Sequence, residues 1–121
     1  NEAMEKIDVA LAKSAAKNAC ERHAGHLEVV FTPLGERYMQ TGKDLSDVKW
    51  LIGTGGPVIT SKDPAAILSE ASFSEQEPLS LRPRKAKCLL DAKYILSAMG
   101  LLSQKLPDVA LKIMKNELIE I

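Results

Sequence analysis

Three glycines in four positions, Gly53-Thr54-Gly55-Gly56, followed by Pro57, close a nearly apolar run that begins at Val48. Glycine adopts backbone conformations closed to other residues and lets a ligand approach the main chain. Nucleotide-binding folds use a strand, a glycine turn and a helix to aim N–H groups at a phosphate, or to lay backbone against a base. This run is not a Walker A loop, because no Gly-Lys-Ser/Thr follows. It also departs from the dinucleotide fingerprint: the third glycine is missing at its offset and Pro57 interrupts. The next helix signal is at Pro64, so no helix N-terminus is expected on the turn itself. A ligand site and a tight turn at a strand end both satisfy the local motif.

Other chemistry is thinner. Cys20-x2-His23-x2-His26, followed by Glu28, mixes potential metal ligands. It straddles an expected helix end, and no second pair completes the four ligands zinc usually takes. Histidines near a helix C-terminus are explained more simply by the helix dipole. Cys88 lies in an apolar strand, where a thiol is usually inert. No serine occupies a nucleophile elbow, and no carboxylate pair has evident acid–base placement, so no catalytic residue is assigned.

The elements that must position the glycines follow from periodicity. Residues 3–23 read as one helix, with Met4, Ile7, Leu11, Ala15 and Ala19 at three- and four-residue steps. Its alanines suggest close packing, and Gly25 suits a stop. Leu27–Phe31 reads as a strand, broken by Pro33 and Gly35, and Glu36–Gln40 as a second short one. Residues 48–52 read as a strand covered on both faces. Asp63 and Pro64 cap and open a helix ending near Ala71. Residues 72–86 are polar and proline-bearing, an excursion loop with a partly mobile character. Lys87–Leu90 is a strand, after which Asp91 caps a helix to about Gln104, with Tyr94, Ile95, Met99 and Leu102 as core. Pro107 and Asp108 open a last helix whose apolar face is Ala110, Ile113, Met114 and Leu118. The succession favours a mixed α/β layer, a small sheet flanked by helices.

Composition bounds the function. A length of 121 residues fits one domain, residues 1–121, and 45% apolar residues support a core. Lys plus Arg and Asp plus Glu are both 16, which argues against a nucleic-acid partner. The densest basic run, Arg82, Arg84, Lys85 and Lys87, reads as a solvated loop. No run is long enough to span a membrane, and two cysteines make no disulfide framework, so a reducing, cytoplasmic setting is expected. The chain starts at Asn1, which reads as a piece of a longer or processed polypeptide.

Several stretches together resemble the MutL/GlmL family. They are Thr32-Pro33-Leu34-Gly35, Gln40 to Leu45 (QTGKDL), Val48 to Gly56 (VKWLIGTGG), Leu90 to Leu102 (LDAKYILSAMGLL) and Pro107 to Lys112 (PDVALK), with Glu21 to Gly25 ahead of them. This MutL is the one associated with glutamate mutase and ornithine aminomutase, not the mismatch-repair protein of that name. The resemblance covers most of the chain, loop 72–86 least. It implies the C-terminal part of an actin-like, ribonuclease H-like ATPase that acts as a reactivating chaperone for an adenosylcobalamin-dependent mutase. The implied cofactor of the full-length protein is ATP or ADP with Mg²⁺. The implied partners are that mutase and the nucleotide.

In that superfamily a strand and a Gly-Gly turn pack against adenosine. By resemblance Gly53, Thr54, Gly55, Gly56 and Pro57 form this wall, and Thr54 offers its hydroxyl to base or ribose. Lys43 and Asp44 are weaker candidates, explained equally well by a surface turn. Ala98 and Gly100 correspond to small packing residues of the closing helix. One departure is large: no Asp-x-Gly-x-Thr/Ser phosphate loop occurs anywhere in the chain. Phosphoryl transfer depends on the positioning and charge those loops supply. The chain alone is therefore expected to hold no Mg²⁺ and to hydrolyse no ATP. A structural or partner-binding module without ligand, and a small independent nucleotide binder, are the alternatives.

Overall fold

The computed structural model describes all 121 residues. Ten elements follow one another: α1 (Glu2–His23), β1 (His26–Thr32), β2 (Gly35–Thr41), β3 (Trp50–Gly53), α2 (Gly56–Ile59), α3 (Pro64–Ser69), β4 (Lys87–Leu90), α4 (Leu96–Leu102), α5 (Pro107–Glu117) and β5 (Ile119–Glu120). They form a mixed α/β arrangement with two small sheets, one the β1–β2 hairpin and the other ordered β3-β4-β5.

α1 starts where Asn1 accepts the Ala3 N–H at 3.1 Å. Glu2 and Glu5 occupy its first turn and Arg22 and His23 its last, matching the helix dipole at both ends. The helix lies against α2 and α3, yet none of its residues is fully buried, and Met4, Ile7 and Leu11 stay exposed. The tight packing expected of its alanines is therefore not reached.

At its end α1 meets the hairpin through backbone contact. Gly25 N–H donates to Lys43 O at 2.6 Å. A methyl group at Gly25 would drive into the backbone of Thr41, Gly42 and Lys43, so only glycine fits there. β1 and β2 pair antiparallel in the register Val29–Tyr38 and Phe31–Glu36. Directly opposed residues share a face, which places Val29, Phe31 and Tyr38 together, all exposed.

β3 and β4 run parallel in the register Trp50–Lys87 to Gly53–Leu90. β5 adds antiparallel on the other side of β4, an element the sequence analysis missed because it is two residues long. β3 begins at Trp50 rather than Val48, and it is not covered on both faces: Trp50 and Ile52 are exposed.

The core is small. Twelve of 121 residues are buried, and Ile67 and Leu68 of α3 lie at its centre with Ala71, Leu81, Leu90 and Ala110. Full burial of a side chain the size of Ile67 contributes about 1.5–3 kcal/mol, so these few positions carry much of the stability. α5 buries Ala110 and half-buries Ile113 and Met114, the face its periodicity predicts.

Residues 72–86 hold no helix or strand, but they are firmly tied down. Phe73 N–H donates to Pro83 O at 2.8 Å, and Leu81 N–H donates to Gly25 O at 2.8 Å. Arg82, expected in a solvated loop, is 1% exposed. Its guanidinium pairs with Glu77 at 3.0 Å and donates to Glu70 O at 3.3 Å, while Nε has no partner. Glu77 also faces Lys17 of α1 at 3.8 Å. Arg84 lies 4.0 Å over the Phe73 ring. Charge and stacking thus hold a segment whose composition suggested mobility.

Candidate functional site: the glycine turn and its clasp

Parallel pairing sets the site. Because Gly53 is registered with Leu90, the residues that follow each strand, Thr54 and Asp91, emerge side by side. The carboxyl ends of parallel strands are where α/β folds open their crevices. Asp91 N–H donates to Gly53 O at 2.8 Å. Thr54 Oγ1 donates to Asp91 Oδ2 at 3.0 Å. The same carboxylate accepts Ile95 N–H at 2.9 Å and Leu96 N–H at 3.3 Å. Asp91 is 1% exposed, and these charge-assisted bonds keep a buried carboxylate stable. One side chain therefore clasps the exit of β3 to the entry of α4.

Asp91 is not the N-cap of α4 as expected: the helix starts at Leu96 with Ile95 at its N-cap position, and the Asp91 carboxylate accepts the N–H groups of both from a turn earlier. The intervening turn passes through Tyr94 at φ 55°, the one non-glycine residue with positive φ. Such a conformation costs about 1–3 kcal/mol. Tyr94, assigned to the core from its helical spacing, is instead 54% exposed. A lysine–glutamate pair, Lys93 with Glu117 at 2.5 Å, ties the same turn to α5.

The five residues of the glycine turn have distinct surroundings. Gly53 is buried, and a methyl group on it would lie 2.9 Å from both Leu68 methyls and 3.0 Å from Val58 Cγ1. Its smallness admits α3 and α2 to the sheet. Gly55 has φ +95° and ψ 154°, a region essentially restricted to glycine, with nothing within 4 Å of where a methyl group would be. At Gly56 such a group would face only Tyr94 Oη, 3.5 Å away. Thr54 and Pro57 are exposed. The Thr54 hydroxyl proton is committed to Asp91, so toward a ligand Thr54 offers lone pairs only.

One expectation is overturned here. A helix does begin on the turn: α2 starts at Gly56, with Gly55 O accepting Ile59 N–H at 3.0 Å and Thr60 Oγ1 donating to Gly56 O at 2.8 Å. Pro57 lies in its first turn, where a missing N–H costs nothing. Four residues are too few for a periodic signal, so the sequence could not reveal it.

A groove of about 850 Å³ opens away from the glycines. It lies between α1 and the α2–α3 segment, and Pro57 is the one residue of the turn that lines it. Lys62 and Glu5 pair across it at 3.2 Å.

The remaining candidates are dispersed. Lys43 and Asp44 belong to the junction of β2 with α1, where Lys43 O receives Gly25 N–H. Hydrogen bonds from the Ser46 hydroxyl and N–H hold the Asp44 carboxyl below its ordinary range. Burial pushes both thiols up, at Cys20 against the opposing influence of Arg82. Cys20, His23 and His26 form no group of three ligands for a metal ion, and His26 pairs with exposed Glu28 at 3.0 Å. Ala98 and Gly100 are exposed, and Gly100 has nothing within 4 Å; within this chain they do not serve as packing residues.

A mixed α/β unit with a clasped glycine turn is the class that fold and site define. The family model described as MutL protein matches residues 1–118. Protein MutL of Clostridium tetanomorphum is 47% identical over 116 residues, which are 96% of this chain and 25% of that protein. The chain belongs to the MutL family. It spans about a quarter of the length of that relative. No solved structure matches it.

Proposed function

We propose that this chain supplies the adenosine-side wall of a nucleotide cleft in an actin-like MutL ATPase that reactivates an adenosylcobalamin-dependent mutase such as glutamate mutase or ornithine aminomutase. The observation that carries this reading is the open backbone of Gly55 just beyond the carboxyl end of β3. A planar base can lie against main chain only where no Cβ intervenes, and Gly55 leaves that space free. The rigid Asp91 clasp supports the reading further, because a wall must keep its shape when a ligand leaves. Gly55, Gly56 and Thr54 face the ligand in this proposal. Gly53 acts from behind by letting α3 approach.

The nucleotide brings the phosphates and, with Mg²⁺, the reactive chemistry. This chain's residues hold and orient the base and ribose end. No Asp-x-Gly-x-Thr/Ser loop accompanies them, so hydrolysis belongs to other parts of a full-length MutL. The exposed apolar residues Val29, Phe31 and Tyr38 on one hairpin face support a second role in contacting other protein surfaces, the mutase among them.

Titration of ATP, ADP and adenosine, followed by amide chemical shifts, tests the proposal. Shifts gathered at residues 53–57 are expected, with weak affinity for the chain alone and stronger affinity in full-length MutL. Sub-micromolar binding by residues 1–121 alone would make it an independent binder instead. Absence of any shift at millimolar ligand, together with unchanged nucleotide affinity of a folded full-length Gly55→Val variant, would leave only a structural turn.

A further inference from the structure

We propose that Tyr94 is a ligand-contacting residue of this site, its phenol hydroxyl reaching the turn at Gly56, beside the open Gly55, to hold the base and ribose end of the nucleotide. The inference rests on the nucleotide reading above and adds the residue that would close the wall from the other side. Three observations carry it.

The first is position. Outside its chain neighbours and the backbone of its own helix, only Tyr94 Oη comes within 4 Å of a methyl group placed on Gly56. The phenol oxygen thus reaches the glycine turn, although residues 56 and 94 are 38 positions apart in the sequence. The second is backbone strain without compensation. Tyr94 has φ 55°, a conformation that glycine, asparagine or aspartate adopts more readily. Burial would offset the cost, but the side chain is 54% exposed. Glycine would adopt this φ without that cost.

The third is that the strain is imposed from all sides. Asp91 O accepts the Tyr94 N–H at 3.2 Å. The Asp91 carboxylate takes the next two N–H groups, at 2.9 and 3.3 Å, and Lys93 pairs with Glu117. This network fixes the direction of the Tyr94 Cα–Cβ bond and sends the ring toward the turn. Strained residues held in this way concentrate at ligand sites. A tyrosine so placed offers a face for stacking a purine and a hydroxyl for a ribose oxygen.

The test uses full-length MutL containing this chain, with ADP and adenosine as probes. Affinity and melting temperature are measured for Tyr94→Gly, Tyr94→Phe and Gly55→Val. Base–aromatic stacking predicts that Tyr94→Gly weakens ADP and adenosine binding about tenfold, with an unchanged or higher melting temperature. Tyr94→Phe is expected to retain most of the affinity for both probes. If Gly55→Val abolishes binding while Tyr94→Gly binds like the parent protein, the turn is a nucleotide wall and Tyr94 is no part of it. If Tyr94→Gly melts at lower temperature than the parent, the tyrosine holds the turn for stability and the proposal fails. If the parent protein binds neither probe at millimolar concentration, the nucleotide reading itself fails and this inference with it.

Discussion

At the scale of single residues, the chain separates glycines that serve packing from glycines that leave space. Gly25 and Gly53 are the first kind. Gly25→Ala sets a methyl group against backbone atoms of residues 41–43, which side-chain rotation cannot relieve. Gly53→Ala meets only the ends of Leu68 and Val58. Overpacking costs about 1–3 kcal/mol in an ordinary core site. Gly53→Ala is expected in that range and Gly25→Ala above it, an order checked by denaturant titration. A larger loss at Gly53 would mean that Leu68 cannot give way. Asp91 is the residue whose removal should matter most to the site. Asp91→Ala leaves two half-buried N–H groups and the Thr54 hydroxyl without an acceptor, each costing about 1–3 kcal/mol where water cannot replace it. Thr54→Val, which leaves the carboxylate two of its partners, is expected to cost only about 1 kcal/mol.

At the scale of elements, the sequence was read well wherever a pattern is long. The period of α1 and α5, the β-branched run of β1 and the cap-and-proline opening of α3 placed those elements within about two residues. Elements of two or four residues, β5 and α2, carry no period and were missed. Tyr94 and Arg82 were misjudged for a different reason. Spacing made Tyr94 a core residue and charge made Arg82 a surface one, but tertiary contacts decided both: the clasp turns Tyr94 outward, and Glu77 with Glu70 O draws Arg82 inward. Of the site, the glycines were legible and their partner Asp91 was seen only as a cap, because its bond to Thr54 depends on strand register. Glu77→Gln tests the Arg82 anchor. It removes the charge opposite a buried guanidinium while leaving an amide oxygen and Glu70 O as acceptors, and a loss of about 1–3 kcal/mol is expected, beyond that of Lys17→Ala, whose contact with Glu77 is longer and exposed. Similar losses for the two would show that the segment 72–86 is held by its backbone contacts alone.

At the scale of the molecule, a core of seven buried apolar residues leaves little margin, so modest titration effects should be visible. Both thiols have pKa values raised above their ordinary 9.0 by burial. A raised pKa means that the folded state keeps protons the unfolded state has released. The resulting stability is complete below pH 9.0 and declines as pH rises through the folded values. Melting temperature should fall on that alkaline side, and replacing both cysteines with alanine should flatten the fall even though it lowers the starting value. Asp44 acts at the opposite end: its lowered pKa gives stability above the ordinary carboxylate range that disappears as pH drops through the folded value. No helix is long and apolar enough to cross a membrane. Phe31 on the hairpin is 81% exposed, and Phe31→Ser should leave stability within about 0.5 kcal/mol of the parent.

The parallel pairing of β3 with β4 also sets a time order for folding. Its partners Trp50 and Lys87 stand 37 positions apart, whereas the β1–β2 hairpin closes over a two-residue turn at Pro33 and Leu34. Hairpins form in about 1–10 μs, while non-local pairing must first meet the entropy of closing a long loop. The hairpin and α1 should therefore become protected against amide exchange before Leu89 and Leu90 do. Since Thr54 meets Asp91 only after β3 and β4 align, the glycine turn should be among the last parts of the chain to take shape during refolding.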